Sequence, residues 1–160
     1  MRTPPPSGSR TSGASKVFVP LSVWALFALL LHLPWEVAQL PLYRVWQQSS
    51  AAPIVFDVLH CTLGDVLIAG TAYAATAAVF RQPLWPLRSP WTGGAMYMLG
   101  TVAYAAWSEW RNVYRTGGWA YSAAMPTLAG IGLAPLLQWI VVSLFMLLLF
   151  RRTSALAPPQ

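Results

Sequence analysis

The sequence is short of charge. Only 9% of its 160 residues are charged and only four of them are acids, whereas a soluble domain carries about 25% charged residues. A chain this poor in charge has no solvated surface of ordinary size, which excludes a water-soluble globular domain. A single cysteine excludes an internal disulfide and any CxxC redox chemistry. No basic cluster with interleaved aromatics lies outside the apolar segments, which excludes a nucleic-acid partner. There is no internal repeat and no second domain.

What remains is 56% hydrophobic, with nine tryptophans and six tyrosines. Aromatics in that number suit the belts at membrane–water interfaces, with membrane lipid as the surrounding partner. Residues 1–16 are rich in Pro, Gly and Ser and are expected to form a disordered cytoplasmic tail. Residues 17–150 form one membrane domain. The first span, 17–40, is too long for a signal-peptide core and is expected to be retained. Pro34 should kink it and Pro41 should end it. Residues 41–53 form a polar loop, with Tyr43 and Trp46 at the interface. The second span is 54–80, IVFDVLHCTLGDVLIAGTAYAATAAVF. Its Gly70, Ala74 and Ala78 make a small-residue stripe suited to close approach of another helix. Residues 81–92 hold three prolines and form a short connection. The third span runs from about 91 to 110, the longest loop from 111 to 127, and the fourth span from 128 to 150. Residues 151–160 are a cytoplasmic tail. The expectation is an all-α protein, a four-transmembrane-helix bundle.

The basic residues orient it. Arg2, Arg10, Lys16, Arg81, Arg88, Arg151 and Arg152 fall on one side, Arg44, Arg111 and Arg115 on the other. The positive-inside rule puts both termini in the cytoplasm and the 41–53 and 111–127 loops outside.

Ionisable side chains inside hydrocarbon are costly and need a reason. At the helical rise, His32 lies about 10 Å below the outer interface, with Glu36 close to that interface. Asp57, His60, Cys61 and Asp65 descend from about 4 Å to about 16 Å below it, and Glu109 lies within about 5 Å of it. All four acids and both histidines thus fall in the outer half of the membrane, contributed by three helices. His32, Glu36 and Gln39 share one helical face; Asp57, His60, Cys61, Gly64 and Asp65 share a wider arc. Lipid satisfies neither arc, so both should face the bundle interior. Gly64 leaves room there for a partner or ligand.

Imidazole and carboxylate at these spacings suit a divalent transition metal, zinc, iron, manganese or copper, held by His32, Glu36, Asp57, His60, Asp65 and Glu109. The same groups suit acid–base catalysis or a proton relay through His32, His60 and Asp65. Against these stands a structural reading. Glu36 and Glu109 pair with Arg44, Arg111 and Arg115, Asp57 caps the second helix, and Cys61 is a small packing residue. Trp35, Trp107, Trp110, Trp119 and Trp139 read as belt and packing residues, or in part as the lining of a pocket for an apolar or cationic substrate. Pro126, Gly130, Gly132 and Pro135 interrupt the start of the fourth helix, so residues 119–135 read either as a lid over the polar cluster or as a frayed helix start. Gln138 is the polar group the fourth helix can turn inward.

The segments HCTLGDVLIA, SEWRNVYRTGGWAYSAAMP and GIGLAPLLQW resemble parts of a group of small bacterial inner-membrane proteins, over roughly residues 30–140. The resemblance implies a four-span protein of the inner membrane and brings no activity with it. Three functions stay open: a metal-dependent or acid–base enzyme for a lipid-soluble substrate, an ion or metal transport or handling module, and a non-catalytic subunit. That subunit would pack against a larger complex or a second copy through the Gly70–Ala78 stripe.

Overall fold

The computed structural model describes residues 15–155, with side chains from 20 to 153. Most of the two expected tails lies outside the described residues; 15–16 and 151–155 are helical.

Four long helices make the body: α1 (Ser15–Gln39), α3 (Ala51–Val79), α5 (Pro90–Arg111) and α6 (Leu133–Ala155). Short helices α2 (Val45–Gln48) and α4 (Trp85–Arg88) lie in the connections. Three helical segments, Pro20–Leu42, Ala51–Val79 and Leu133–Thr153, are long and apolar enough to cross a membrane. Their outward faces carry Leu30, Leu63, Leu67 and Leu148, all exposed, while His32 and Gln138 are fully buried. This polarity, apolar outside and polar inside, is the one lipid demands and the reverse of a soluble bundle. The protein is a helical membrane protein.

The helices form a ring in which α1 packs chiefly on α3, then on α6, and α6 on α5. The ring closes between α3 and α5, where packing is sparsest. One end of the interior is filled by the rings of Trp24, Tyr73, Trp85, Tyr97 and Phe150, all buried. Trp24 touches the other four at centroid distances of 5.2–5.7 Å.

Several boundaries differ from the sequence expectation. The helix expected at 54 begins at Ala51, because Pro53 falls in its first turn, where no N–H donor is needed. Asp57 therefore lies beyond that turn. The N-cap is Ser50, which makes no side-chain cap bond, so Asp57 is not the cap. The 81–92 connection contains α4, whose Trp85 is fully buried, so this stretch belongs to the core. Gly93 exists to admit that ring: a Cβ there would sit 2.6 Å from Trp85 Cε3. Residues 128–132 are not the start of the last helix. They belong to a hairpin of two short antiparallel strands, β1 (Thr127–Leu128) and β2 (Ile131–Gly132). Its turn places Ala129 at φ 51° and Gly130 at φ 82°.

The loop after α5 begins as a π-helical turn, Asn112–Thr116, stopped by left-handed Gly117. It then crosses to the α1–α2 connection. Arg44 N donates to Ala120 O, Ser122 N to Leu42 O, and Ser122 Oγ to Pro41 O. The 119–132 segment is thus tied down across the end of the bundle opposite the aromatic rings. It is neither a frayed helix nor a free loop.

Candidate functional site

Beneath that segment lies a cavity of about 780 Å³. It occupies the space between α3 and α5, with α1 and the first turns of α6 as its other walls. All four acids of the chain line it: Glu36, Asp57, Asp65 and Glu109. Gly64 is part of the wall, and a Cβ there would meet nothing within 4 Å. Cys61, a free thiol, is also part of the wall.

The deepest polar groups form one cluster from three helices. Residues 32, 36 and 39 repeat at helical spacing and present one face of α1. Asp65 comes from α3 and Gln138 from α6. Gln138 Nε2 donates to Glu36 Oε1 and to Asp65 Oδ2, each at 2.9 Å. It also lies 2.8 Å from His32 Nδ1. Gln39 Nε2 donates to the same Glu36 oxygen at 2.9 Å. His32 Nδ1 lies 3.1 Å from Asp65 Oδ2. The His32 ring rests on Trp139 with centroids 4.7 Å apart, and its Nε2 has no hydrogen-bond partner.

Proton counting shows what such a cluster requires. An amide nitrogen carries two hydrogens, and here three acceptor positions surround it. If the imidazole proton is on Nε2, the two amide hydrogens serve three acceptors and Nε2–H is buried without a partner. If it is on Nδ1, it bonds Asp65, and Gln138 serves the two carboxylates. His32 Nδ1–H and the amide N–H then crowd at 2.8 Å. Neither tautomer of the neutral imidazole satisfies every group.

A second arrangement holds Glu109. Tyr121 Oη donates to Glu109 Oε2 at 2.5 Å and accepts from Gly132 N at 2.9 Å; Trp119 Nε1 donates to the same carboxylate oxygen at 3.4 Å. Burial first, and then its bond to Glu109, pushes the Tyr121 phenol well above its ordinary range, so it remains a donor. Burial likewise raises the neighbouring Tyr43 phenol, whose ring lies 5.7 Å from that of Tyr121. Nothing in the sequence marked Tyr121: it reaches Glu109 only through the return of the loop.

The expected arginine pairing is not formed. Among the described residues, the His32–Asp65 contact is the only pairing of a basic and an acidic side chain within salt-bridge distance. Arg111 lies over Trp107 at 5.9 Å and Arg115 over Trp110 at 4.9 Å. Glu36 and Glu109 take amide, phenol and indole donors instead. Trp139, expected as a belt or packing residue, packs: it is buried against His32.

His60 and Asp57 do not join the cluster. His60 is exposed on the cavity wall and stacks on Phe56, with centroids 5.8 Å apart. Among the described residues, no group of three or more His, Cys, Asp or Glu side chains is placed to hold a metal ion. Comparison with protein families, curated proteins and solved structures finds no match.

Proposed function

We propose that this is a four-span inner-membrane protein with both termini cytoplasmic, whose outward pocket is an intramembrane acid–base site acting on a lipid-soluble substrate. With 22 residues, α5 is about 33 Å long, enough to cross a bilayer. The excess of basic residues on the side of the termini supports the orientation. The observation that carries the functional reading is the Gln138 amide nitrogen, surrounded at 2.8–2.9 Å by His32, Glu36 and Asp65 at the floor of a cavity.

In this reading Glu36 and Asp65, which face the cavity, exchange the proton with the substrate. His32, buried behind them, holds it through Nδ1 and orients Asp65. Gln138 and Gln39 fix the carboxylates. His60 and Asp57, higher on the wall, connect the cavity to the outer interface. Infrared difference spectra on H₂O/D₂O exchange test this. The expected result is a carboxyl C=O band that shifts in D₂O and is lost in Glu36→Gln or Asp65→Asn. Spectra with no such band would overturn the reading.

A second reading, a zinc, iron, manganese or copper site at His32, Glu36 and Asp65, requires these side chains to close in as the Gln138 amide between them swings aside. Stoichiometric metal in purified protein, lost in His32→Ala, would select it over the first.

A further inference from the structure

The cavity breaks through one side of the bundle. Its walls on α3 and α5 each include an exposed ring, His60 and Tyr104. Each ring also touches a neighbour outside the cavity. His60 stacks on Phe56, which is 67% exposed, with centroids 5.8 Å apart. Tyr104 lies 5.5 Å from Trp107, which is 50% exposed. Neither Phe56 nor Trp107 is part of the cavity wall. The wall therefore runs without a break onto the outer surface of both helices, at the seam where packing is sparsest. One helical turn deeper, on the same faces, stand Gly64 on α3 and Gly100 on α5. A Cβ at either glycine would meet nothing within 4 Å, so the seam continues downward as an open slot.

Depth identifies what the slot meets. α3 has 29 residues and α5 has 22, which is about 43 Å and about 33 Å of helix. With each helix centred on a hydrocarbon layer of about 30 Å, His60 stands about 7 Å inside the outer boundary and Tyr104 about 9 Å inside. At that depth a membrane protein is surrounded by acyl chains. At its aqueous end the same cavity has a polar rim, with Arg44, Gln48 and Gly118 all exposed. The two openings are disposed as an outer-leaflet amphiphile is, head toward water and chain toward the bilayer centre. We infer that the pocket takes an outer-leaflet lipid sideways through the α3–α5 seam. Its head stays at the rim, its chain lies in the slot between His60 and Tyr104, and the linkage between them faces Glu36 and Asp65. A lipid bound in this way keeps its leaflet orientation, so its chain never enters water, which is the costly step. The inference rests on the acid–base reading of the same pocket and adds the class of its substrate and the route of entry.

Cys61 is the single cysteine of the chain and part of the cavity wall, so its thiol reports entry. The test uses the full-length protein at one chain per phosphatidylcholine nanodisc and two thiol reagents of the same chemistry. Dodecyl methanethiosulfonate is held in the bilayer by its chain; trimethylammonioethyl methanethiosulfonate is confined to water. Each leaves a mixed disulfide on Cys61 and releases methanesulfinate, and mass spectrometry gives the rate. The dodecyl reagent should modify Cys61. Gly100→Phe, which fills the slot from outside the cavity wall, should slow it severalfold, and Tyr104→Ala, which widens the slot, should speed it severalfold. Neither variant should change the rate of the trimethylammonium reagent. No modification by the dodecyl reagent, dodecyl rates equal in wild type and both variants, or both reagents shifted alike would overturn the inference. So would protection of Cys61 in discs holding two chains, which would assign the seam to a second copy. The infrared exchange experiment needs no lipid entry and thiol labelling needs no proton transfer, so either result can fail alone.

Discussion

Replacing Gln138 with leucine keeps most of the side-chain volume and removes both donors of its amide. Two interhelical hydrogen bonds, to Glu36 and Asp65 at 2.9 Å, are lost. Interhelical bonds in membranes average about 0.6 kcal/mol each. Leaving a buried acceptor short of a donor adds about 1–3 kcal/mol. The expected loss of stability is therefore about 2–4 kcal/mol, measured by reversible unfolding in mixed micelles of rising sodium dodecyl sulfate content. The informative step is the pair with Asp65→Asn. Once one carboxylate is gone, the amide has less to hold, so the double variant should lose less than its single variants together, with a coupling of about 1 kcal/mol. Strict additivity would show that Gln138 packs α6 without serving the carboxylates, and the proton-counting argument would fall with it.

Three further outcomes are expected. Gly93→Ala should cost about 1–3 kcal/mol in thermal unfolding, because its Cβ would lie 2.6 Å from the fully buried Trp85 ring. Ala129→Gly should stabilise by about 0.5–1 kcal/mol, since the native residue holds φ 51°, a conformation that penalises a Cβ; no gain in melting temperature would contradict the turn. Tyr121→Phe removes the donor to Glu109 and the acceptor for Gly132 N; hydrogen exchange at the Gly132 amide should quicken while exchange in α1 and α3 stays unchanged.

The long helices and the inward face of α1 were legible in the sequence because one force dominates both. Lipid forbids His32, Glu36, Asp65 and Gln138 any outward position, so depth and phase alone place them. The rest depended on forces that act across the fold. His60 shared the arc with Asp65 on paper, but five residues turn a helix about 140° beyond a full turn, and the two side chains reach different walls. Arg111 and Arg115 met tryptophan faces rather than carboxylates, because Glu36 and Glu109 already had donors of their own. Trp85 lay among three prolines that read as a connection; its ring is nonetheless the piece that completes the aromatic core. The hairpin at 127–132 is too short for alternation to show, and Ala129 is not a residue that marks a left-handed turn.

The five packed rings carry a consequence for traffic. Trp24 and Tyr73 each stand eight residues from His32 and Asp65 along their helices, about 12 Å toward the opposite end, and Phe150 and Tyr97 stand farther still. A pocket backed by that much tightly fitted aromatic material is a cul-de-sac. In the proposed reading, a substrate that enters through the outer mouth leaves by the same mouth.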